Sequence, residues 1–555
     1  MKNLSLFLFL IFSSLFCFSQ DSITIKDIRS GEKIISLHFT EVKEDSLLEQ
    51  VQSRSKEYDK MHRFSLDNSI PMTMAQSPLL PYMDLSKTTS SVKKKQLPVK
   101  FNIPAGINLP GDKNELAFYS ISQLASLIKN KKITSVGLTK FFIERLKKYG
   151  DTLHCVISLT EDIAMKEAAE ADKEIAAGRY RGLLHGIPYG LKDLFAVRGT
   201  KTTWGAEPYK SQIIDNNSYV YTKLKEAGAV LVAKLSMGAL AMDDYWFEGQ
   251  TKNPWNMSEG SSGSSAGSAA ATVAGLVPFA IGTETYGSII SPSTVCGATG
   301  LRPTFGSISR SGAMTLSWSL DKAGPICRSA EDAAIVFNYL HGTDGKDAAA
   351  VNMPFNYKET VDLSKMKIAY AKNYFGKKDT LGNENNVLEV FKKAGATLIP
   401  VDFPDSGIYN FDMIGIVIGS ESAAAFDGFT RTGIDDKMIR QGKGEWPNYF
   451  RAARFIPAVE YINTNRHRYL LLQKVNEVIE KYDVIICPTW GGNQAAITNL
   501  TGHPAISIPT GFNKNNTPTS ITLVGKLYDE ATILAIAKVY QDATRWNKIH
   551  PGYFK

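Results

Sequence analysis

The sequence predicts an α/β protein in which a large sheet lies between layers of helices. Two observations carry that prediction. Short apolar runs of strand length recur along the chain, among them GIPYGLKDLFAV, GAVLVAKL, YDVIICPTW and PAISIPTGF. Between them lie segments whose apolar residues fall three and four apart, the spacing of an amphipathic helix. Strands alternating with helices bury a sheet on both faces and give layered architecture. The 555 residues, 43% hydrophobic and 21% charged, have ordinary globular composition. That length suffices for one large domain or two to three smaller ones. No repeat of fixed period is visible.

The chain opens on an address. MKN gives a short positive start, and LSLFLFLIFSSLFCF supplies an apolar core of signal-peptide length, short for a membrane span. Cys17 and Ser19 are small residues at positions −3 and −1 of a cut after Ser19, so residues 1–19 read as a signal peptide and Gln20 as the mature start. A lipid anchor at Cys17 is the weaker reading, because bulky Phe16 precedes it. No later stretch reaches 18 apolar residues. The expected location is therefore periplasmic or extracellular, with no membrane span in the mature form. The formal charge of +8 is scattered in short groups such as KNKK (129–132) without interleaved aromatics. It reads as solvated surface and not as a nucleic-acid face.

Residues 20–113 form an N-terminal extension. DSLLEQVQSRSKEYDKMHRF (45–64) has helical spacing, while 68–113 is rich in Pro, Ser and Lys and should wrap or trail along a surface. From about 114 to 546 the texture is that of a catalytic domain, with 547–555 as a tail. SISQLASLIKNKK and SVGLTKFFIERLKKYG read as helices, the second stopped by Gly150. EDIAMKEAAEADKEIAAG is a helix ended by Gly178. In SAEDAAIVFNYLHG (329–342) Ser329 can cap the helix, with Asp332 standing in for the Glu or Gln of a capping box. Cys155, Cys296, Cys327 and Cys487 form no C-x-x-C pair and have no His at ligand spacing. Buried free thiols are expected, and no metal site.

Three features could carry chemistry. Lys192 sits inside GIPYGLKDLFAV, where its amine either reaches water or is buried. Burial would disfavour the ammonium form and make a neutral amine available as a base. GSSGSSAGSAAA (260–271) has the composition of a flexible linker. Yet the apolar SAAATVAGLVPFAIG continues it without a break, so it reads as a structured loop whose small residues let backbones approach closely. GTETYGS (282–288) presents Ser288 after Gly287 in a turn. Successive N–H groups there can converge as an oxyanion hole, or the turn can be an ordinary one.

In this order and spacing the motifs resemble the amidase signature family. Lys192 is followed by GSSAGSAAA (263–271), GTETYGS, CGATGLRPTFGSISRSGAM and SLDKAGPICRSAEDAA. NPWN (253–256), AKLSMGALAMDD (233–244), TNLTGHPAISIPTGF (498–512) and DEATILAIAKVY (529–540) resemble family segments as well. The resemblance covers roughly 114–546. It implies the family fold, a large mixed sheet with helices on both faces in a single catalytic domain. It also implies hydrolysis of amide C–N bonds by a Ser–cisSer–Lys triad. Carried over by motif, the nucleophile is Ser288, the bridging serine is Ser264 behind a cis Gly263–Ser264 peptide, and the base is Lys192. The N–H groups of Thr285, Tyr286, Gly287 and Ser288 would form the oxyanion hole, worth about 3–4 kcal/mol per donor. Ser265 would orient the relay. No cofactor is implied, and the partner is an amide substrate.

The sequence departs from the family pattern at Tyr286, where Gly or Asp is usual. Its ring must either pack away from the acyl site or line its mouth. Glu284 replaces a frequent Asp. Variable segments within 200–250, 315–320 and 410–470 are expected to build the substrate pocket. Tyr245, Trp246, Trp318 and Tyr449 are candidate linings, each equally a candidate for the core. Two alternatives to an exported amidohydrolase stand beside it. One is the glutaminase subunit of a tRNA-dependent amidotransferase, against which export argues because charged tRNA and the partner subunit are cytosolic. The other is an inactive binding protein on the same scaffold.

Overall fold

The computed structural model describes residues 22–35, 37–64, 96–376, 384–406 and 411–555. The predicted signal peptide, with Cys17, lies outside the described residues. Among the latter, no helix is long and apolar enough to cross a membrane.

The strand-length apolar runs assemble into one mixed sheet of 11 strands. Across the sheet the order is Val156–Leu159, Val230–Leu235, Pro188–Lys192, Ala280–Glu284, Lys322–Cys327, Thr299–Arg302, Ala505–Phe512, Pro518–Val524, Val484–Pro488, Ile368–Ala371 and Leu398–Val401. Pro188–Lys192 runs parallel to both its neighbours, whereas the central strands are antiparallel. Successive side chains of a strand point to opposite faces, so a continuous apolar run needs cover on both. Val230 and Val232 pack with the helices Ser135–Leu153 and Ala266–Val273, while Leu231 between them packs with Ile121–Lys129 and Ala330–Leu340. The same alternation places Ile485 with the helix Ala458–Ile479, and Val484 and Ile486 on the other face.

Two local expectations change. The helix Ser135–Leu153 runs through Gly150 and ends on His154 in the left-handed region. Gly150 is buried, and a Cβ there would lie 2.9 Å from Val156 Cγ2, so this glycine serves close packing of helix on strand and not termination. Ser329 does cap its helix by accepting the Asp332 N–H at 3.0 Å. The Asp332 carboxylate, however, turns away to accept the N–H of Ile121 at 2.8 Å, so it joins two helices instead of completing a capping box.

Segments near both termini are packed. The helix Glu41–His62 lies against the helix Trp446–Ala453, with Ile25–Ile34 packed on it. Residues from 96 onward run along the surface, with Phe101 stacked on Tyr357 at 5.5 Å. At the other end Phe554 is fully buried. The four cysteines Cys155, Cys296, Cys327 and Cys487 are free and buried.

Arg145 ties the C-terminus to the core. Its buried guanidinium donates to the carbonyls of Gly275 (2.8 Å), Ala274 (3.1 Å) and Phe554 (2.5 Å). Truncation would strand three acceptors. Arg145→Ala should therefore lower unfolding free energy by about 2–4 kcal/mol in urea denaturation. A change below about 0.5 kcal/mol would show that these bonds are replaced by water.

Candidate active site

Parallel neighbours end on the same sheet edge, and crevices outside the carboxyl ends of such strands are where α/β folds place ligands. Pro188–Lys192 and Ala280–Glu284 are such a pair, with Gly190 opposite Ala280 and Leu191 opposite Ile281. Lys192 is the last residue of the first strand. Thr285, Tyr286, Gly287 and Ser288 form the turn after the second, and Gly287 supplies the positive φ of +84°. Ser264 and Ser265 immediately precede the helix Ala266–Val273. The Gly263–Ser264 peptide is cis. Segments remote in sequence thus converge on one edge.

Lys192 is fully buried. Its Nζ lies 2.9 Å from Ser264 Oγ, 3.0 Å from Ser265 Oγ, 2.9 Å from Thr283 Oγ1 and 3.3 Å from the Thr283 carbonyl. Burial pulls its pKa down to about 7, against the pull of Asp321 and Glu284 in the other direction. Ser265 is locked: its hydroxyl donates to the Thr283 carbonyl (3.0 Å) and accepts the Thr283 N–H (3.1 Å). Gly282 makes room for it, since a Cβ there would lie 2.6 Å from Ser265 Oγ. The Ser265 N–H in turn donates to the Ser288 carbonyl at 3.1 Å, fastening the turn to the serine pair. Ser288 is mostly buried, and Tyr286 is 47% exposed, so its ring projects from the turn toward solvent.

Glu284 holds the turn from beneath. One carboxylate oxygen accepts the N–H groups of Ile289 (2.8 Å) and Ile290 (2.9 Å). The other accepts from Arg302 Nη1 (2.9 Å) and Asn499 Nδ2 (2.8 Å). Burial alone would raise this carboxyl, but Arg302, Lys322 and the hydrogen bonds hold it down to about 2. Glu284 is therefore an ionised anchor. Lys322, also buried, donates to Asn499 Oδ1 at 2.7 Å. Burial and the nearby Arg302 push its pKa well down. A second tether is Thr285 Oγ1, which donates to Asp321 at 2.6 Å. The other Asp321 oxygen accepts the N–H groups of Leu316 and Ser317. This bolts the loop carrying Trp318, 46% exposed, to the turn.

Lys192, Ser264 and Ser265 are thus brought together, with the 285–288 turn fastened beside them. Thr283 and Asp321 join the site without having been singled out by sequence, and Glu284, which replaces a frequent Asp, anchors the turn. A polar residue inside an otherwise apolar strand was the signal available at 283 and 284. Of the candidate pocket residues, Tyr245 is exposed and Trp246 is buried with its indole donating to the His154 carbonyl at 3.0 Å. Tyr449 donates its hydroxyl to the Gly415 carbonyl at 3.0 Å and packs between helices. Among the described residues, no group of three or more His, Cys, Asp or Glu side chains is placed to hold a metal ion.

Comparison with known proteins identifies the family. The Amidase family model matches residues 137–498. The A component of the Coxiella burnetii glutamyl-tRNA(Gln) amidotransferase is 33% identical over 480 residues, covering 78% of this chain and 99% of that protein. The peptide amidase of Stenotrophomonas maltophilia superposes with a TM-score of 0.69 at 26% identity, over 78% of this chain and 98% of that one. A bacterial aryl acylamidase of the amidase signature family shares the fold, with a TM-score of 0.70 at 22% identity over 78% and 99% of the two chains. The chain belongs to the amidase signature family, and it is an amide hydrolase.

Proposed function

We propose that this chain is an exported amidohydrolase that cleaves a carboxylic amide through a serine acyl-enzyme, with Ser288 as nucleophile, Ser264 as proton relay and Lys192 as base. The observation that carries the reading is the buried Lys192 amine, 2.9 Å from Ser264 Oγ and with its pKa drawn down to about 7.

Proton accounting around Lys192 supports the direction of the relay. The Thr283 carbonyl can only accept, and Ser265 has already committed its proton to that carbonyl. A neutral amine that gives its two N–H groups to Ser265 and Thr283 keeps its lone pair for Ser264. The Ser264 proton then passes to Lys192 as Ser264 takes the proton of Ser288. Ser288 Oγ forms a bond to the amide carbon, and the carbonyl electrons move onto oxygen. The N–H groups of 285–288 stabilise that oxyanion. Collapse breaks the C–N bond, and the proton returns through Ser264 to the departing amine. Water then gives a proton to Lys192 through Ser264 and attacks the acyl carbon; the bond to Ser288 Oγ breaks, the proton returns to Ser288, and the acid leaves.

The relative of 33% identity favours a second reading, a glutaminase subunit of a tRNA-dependent amidotransferase. The apolar N-terminal run argues against it, because charged tRNA is cytosolic. If the expressed chain is processed, the mature N-terminus should be Gln20 in an extracytoplasmic fraction, read by N-terminal sequencing. An intact Met1 in the cytosol would reverse the order of the two readings.

Ser288→Ala and Lys192→Ala should each reduce kcat by about 10³-fold or more while the chain stays folded by circular dichroism. Full activity in either would remove that residue from the mechanism. The base works only as the free amine, so protonation below its pKa abolishes it. The expected kcat/KM falls about tenfold per unit as pH drops below about 7 and levels off above it. A profile flat from pH 5 to 8 would exclude Lys192 as the base.

A further inference from the structure

The helices Ile25–Ile34 and Glu41–His62 lie outside the residues that the family model matches, yet they are built into the molecule. Leu47 and Val51 are buried against Ala452 and Phe455. Asn448 Nδ2 donates to the Ser46 carbonyl at 3.0 Å, and Lys43 pairs with Asp436 at 2.6 Å. Arg54 is the junction. It pairs with Glu57 at 2.7 Å, and its guanidinium lies 5.8 Å from the centre of the Tyr449 ring. It also presses on the helix Met413–Ala425 at Gly415, where a Cβ would sit 2.7 Å from Arg54 Nη1. Tyr449 closes the triangle through its bond to the Gly415 carbonyl.

Both helices that Arg54 grips bond loops that are fastened to the reactive edge. Met413–Ala425 carries Glu421, which accepts from Ser317 and Ser319 on either side of Trp318, each hydroxyl at 2.6 Å. Trp446–Ala453 carries Trp446, whose indole donates to the Ala239 carbonyl at 3.1 Å. Between Trp446 and the 239–249 loop lies a cavity of about 590 Å³, with Met242, Tyr245 and Ile439 among its walls. The loop backs directly onto the relay serine. The Asp243 carbonyl lies so close to Gly263 that a Cβ there would be 1.7 Å away, and the Gly238 N–H donates to the Ser264 carbonyl at 3.2 Å. Arg440, the cation among the described residues of this wall, is already engaged: it pairs with Asp243 and Glu445 and lies 4.6 Å over the Tyr245 ring. Apart from Glu207, paired with Lys210, and the exposed Glu248, what is left open is largely an aromatic and aliphatic wall, suited to an uncharged group and not to an anion.

We propose that helix Glu41–His62, with Arg54 as its positioning residue, fixes Trp446–Ala453 as the wall of a substrate cavity that seats an uncharged apolar or aromatic portion of the amide. This rests on the amidohydrolase reading above. Arg54 touches no substrate and acts through Tyr449 and Gly415.

The test compares a bulky aromatic amide, N-acetylphenylalanine amide, with a small one, acetamide, on the full chain. Arg54→Ala should raise KM for the aromatic amide roughly five- to twentyfold with kcat within about twofold, and leave acetamide kinetics unchanged. Arg54→Lys should recover part of the lost affinity. Should Arg54→Ala fold poorly, Tyr449→Phe, which removes the hydroxyl that bonds Gly415 and meets Arg54, should show the same split. Equal effects on both amides, or none on either, would overturn the proposal. Ser288→Ala run in parallel separates the failures: activity surviving there removes the catalytic reading. An inactive Ser288→Ala beside an unaffected Arg54→Ala removes only the positioning role.

Discussion

An amine sealed from water at the end of a strand is the constraint around which this site is arranged. A buried ammonium is costly unless it is paired, and the nearest groups to Lys192 are hydroxyls and a carbonyl. The outcome is a lysine whose neutral form is accessible near pH 7. Close by, Glu284, equally buried, meets the opposite environment. Arg302, Asn499 and two backbone N–H groups keep it ionised. One ionisable group has its neutral form brought within reach of neutral pH, and another is held charged to fix a turn. Environment alone assigns the roles.

The motifs of this edge were legible in sequence because small residues are conspicuous. Gly263, Gly282 and the serines 264 and 265 sit where backbones and hydroxyls approach more closely than a side chain permits. Their supports were not legible. Arg302, Asn499 and Asp321 reach Glu284 and Thr285 from distant segments, and no local pattern announces which buried polar residue meets which. Strand-length apolar runs identified the sheet, but not its order, which depends on contacts across hundreds of residues. Gly150 shows a further ambiguity. A glycine that ends a helix and one that lets a strand pack against a helix look the same in one dimension.

In sequence the N-terminal extension shows no chemistry, since its helical segment carries no catalytic residue. Packing changes that assessment. Its apolar face has a partner only once Trp446–Ala453 is in place, so its contribution is a property of the assembled helices and not of its own sequence. Trp246 and Tyr245, adjacent in sequence, diverge for a similar reason. The Trp246 indole is satisfied inside by the His154 carbonyl, while the neighbouring Tyr245 is exposed.

The four sequestered thiols have a consequence for the molecule's history. Burial pushes Cys155 up to about 12 and raises Cys296, Cys327 and Cys487 as well, so none offers a thiolate for exchange. Once folded, these thiols are indifferent to the redox poise around them. In this fold they form no disulfide, and burial shields their sulfurs from oxidants in solution. The same fold would persist unchanged on either side of a membrane that separates reducing from oxidising surroundings.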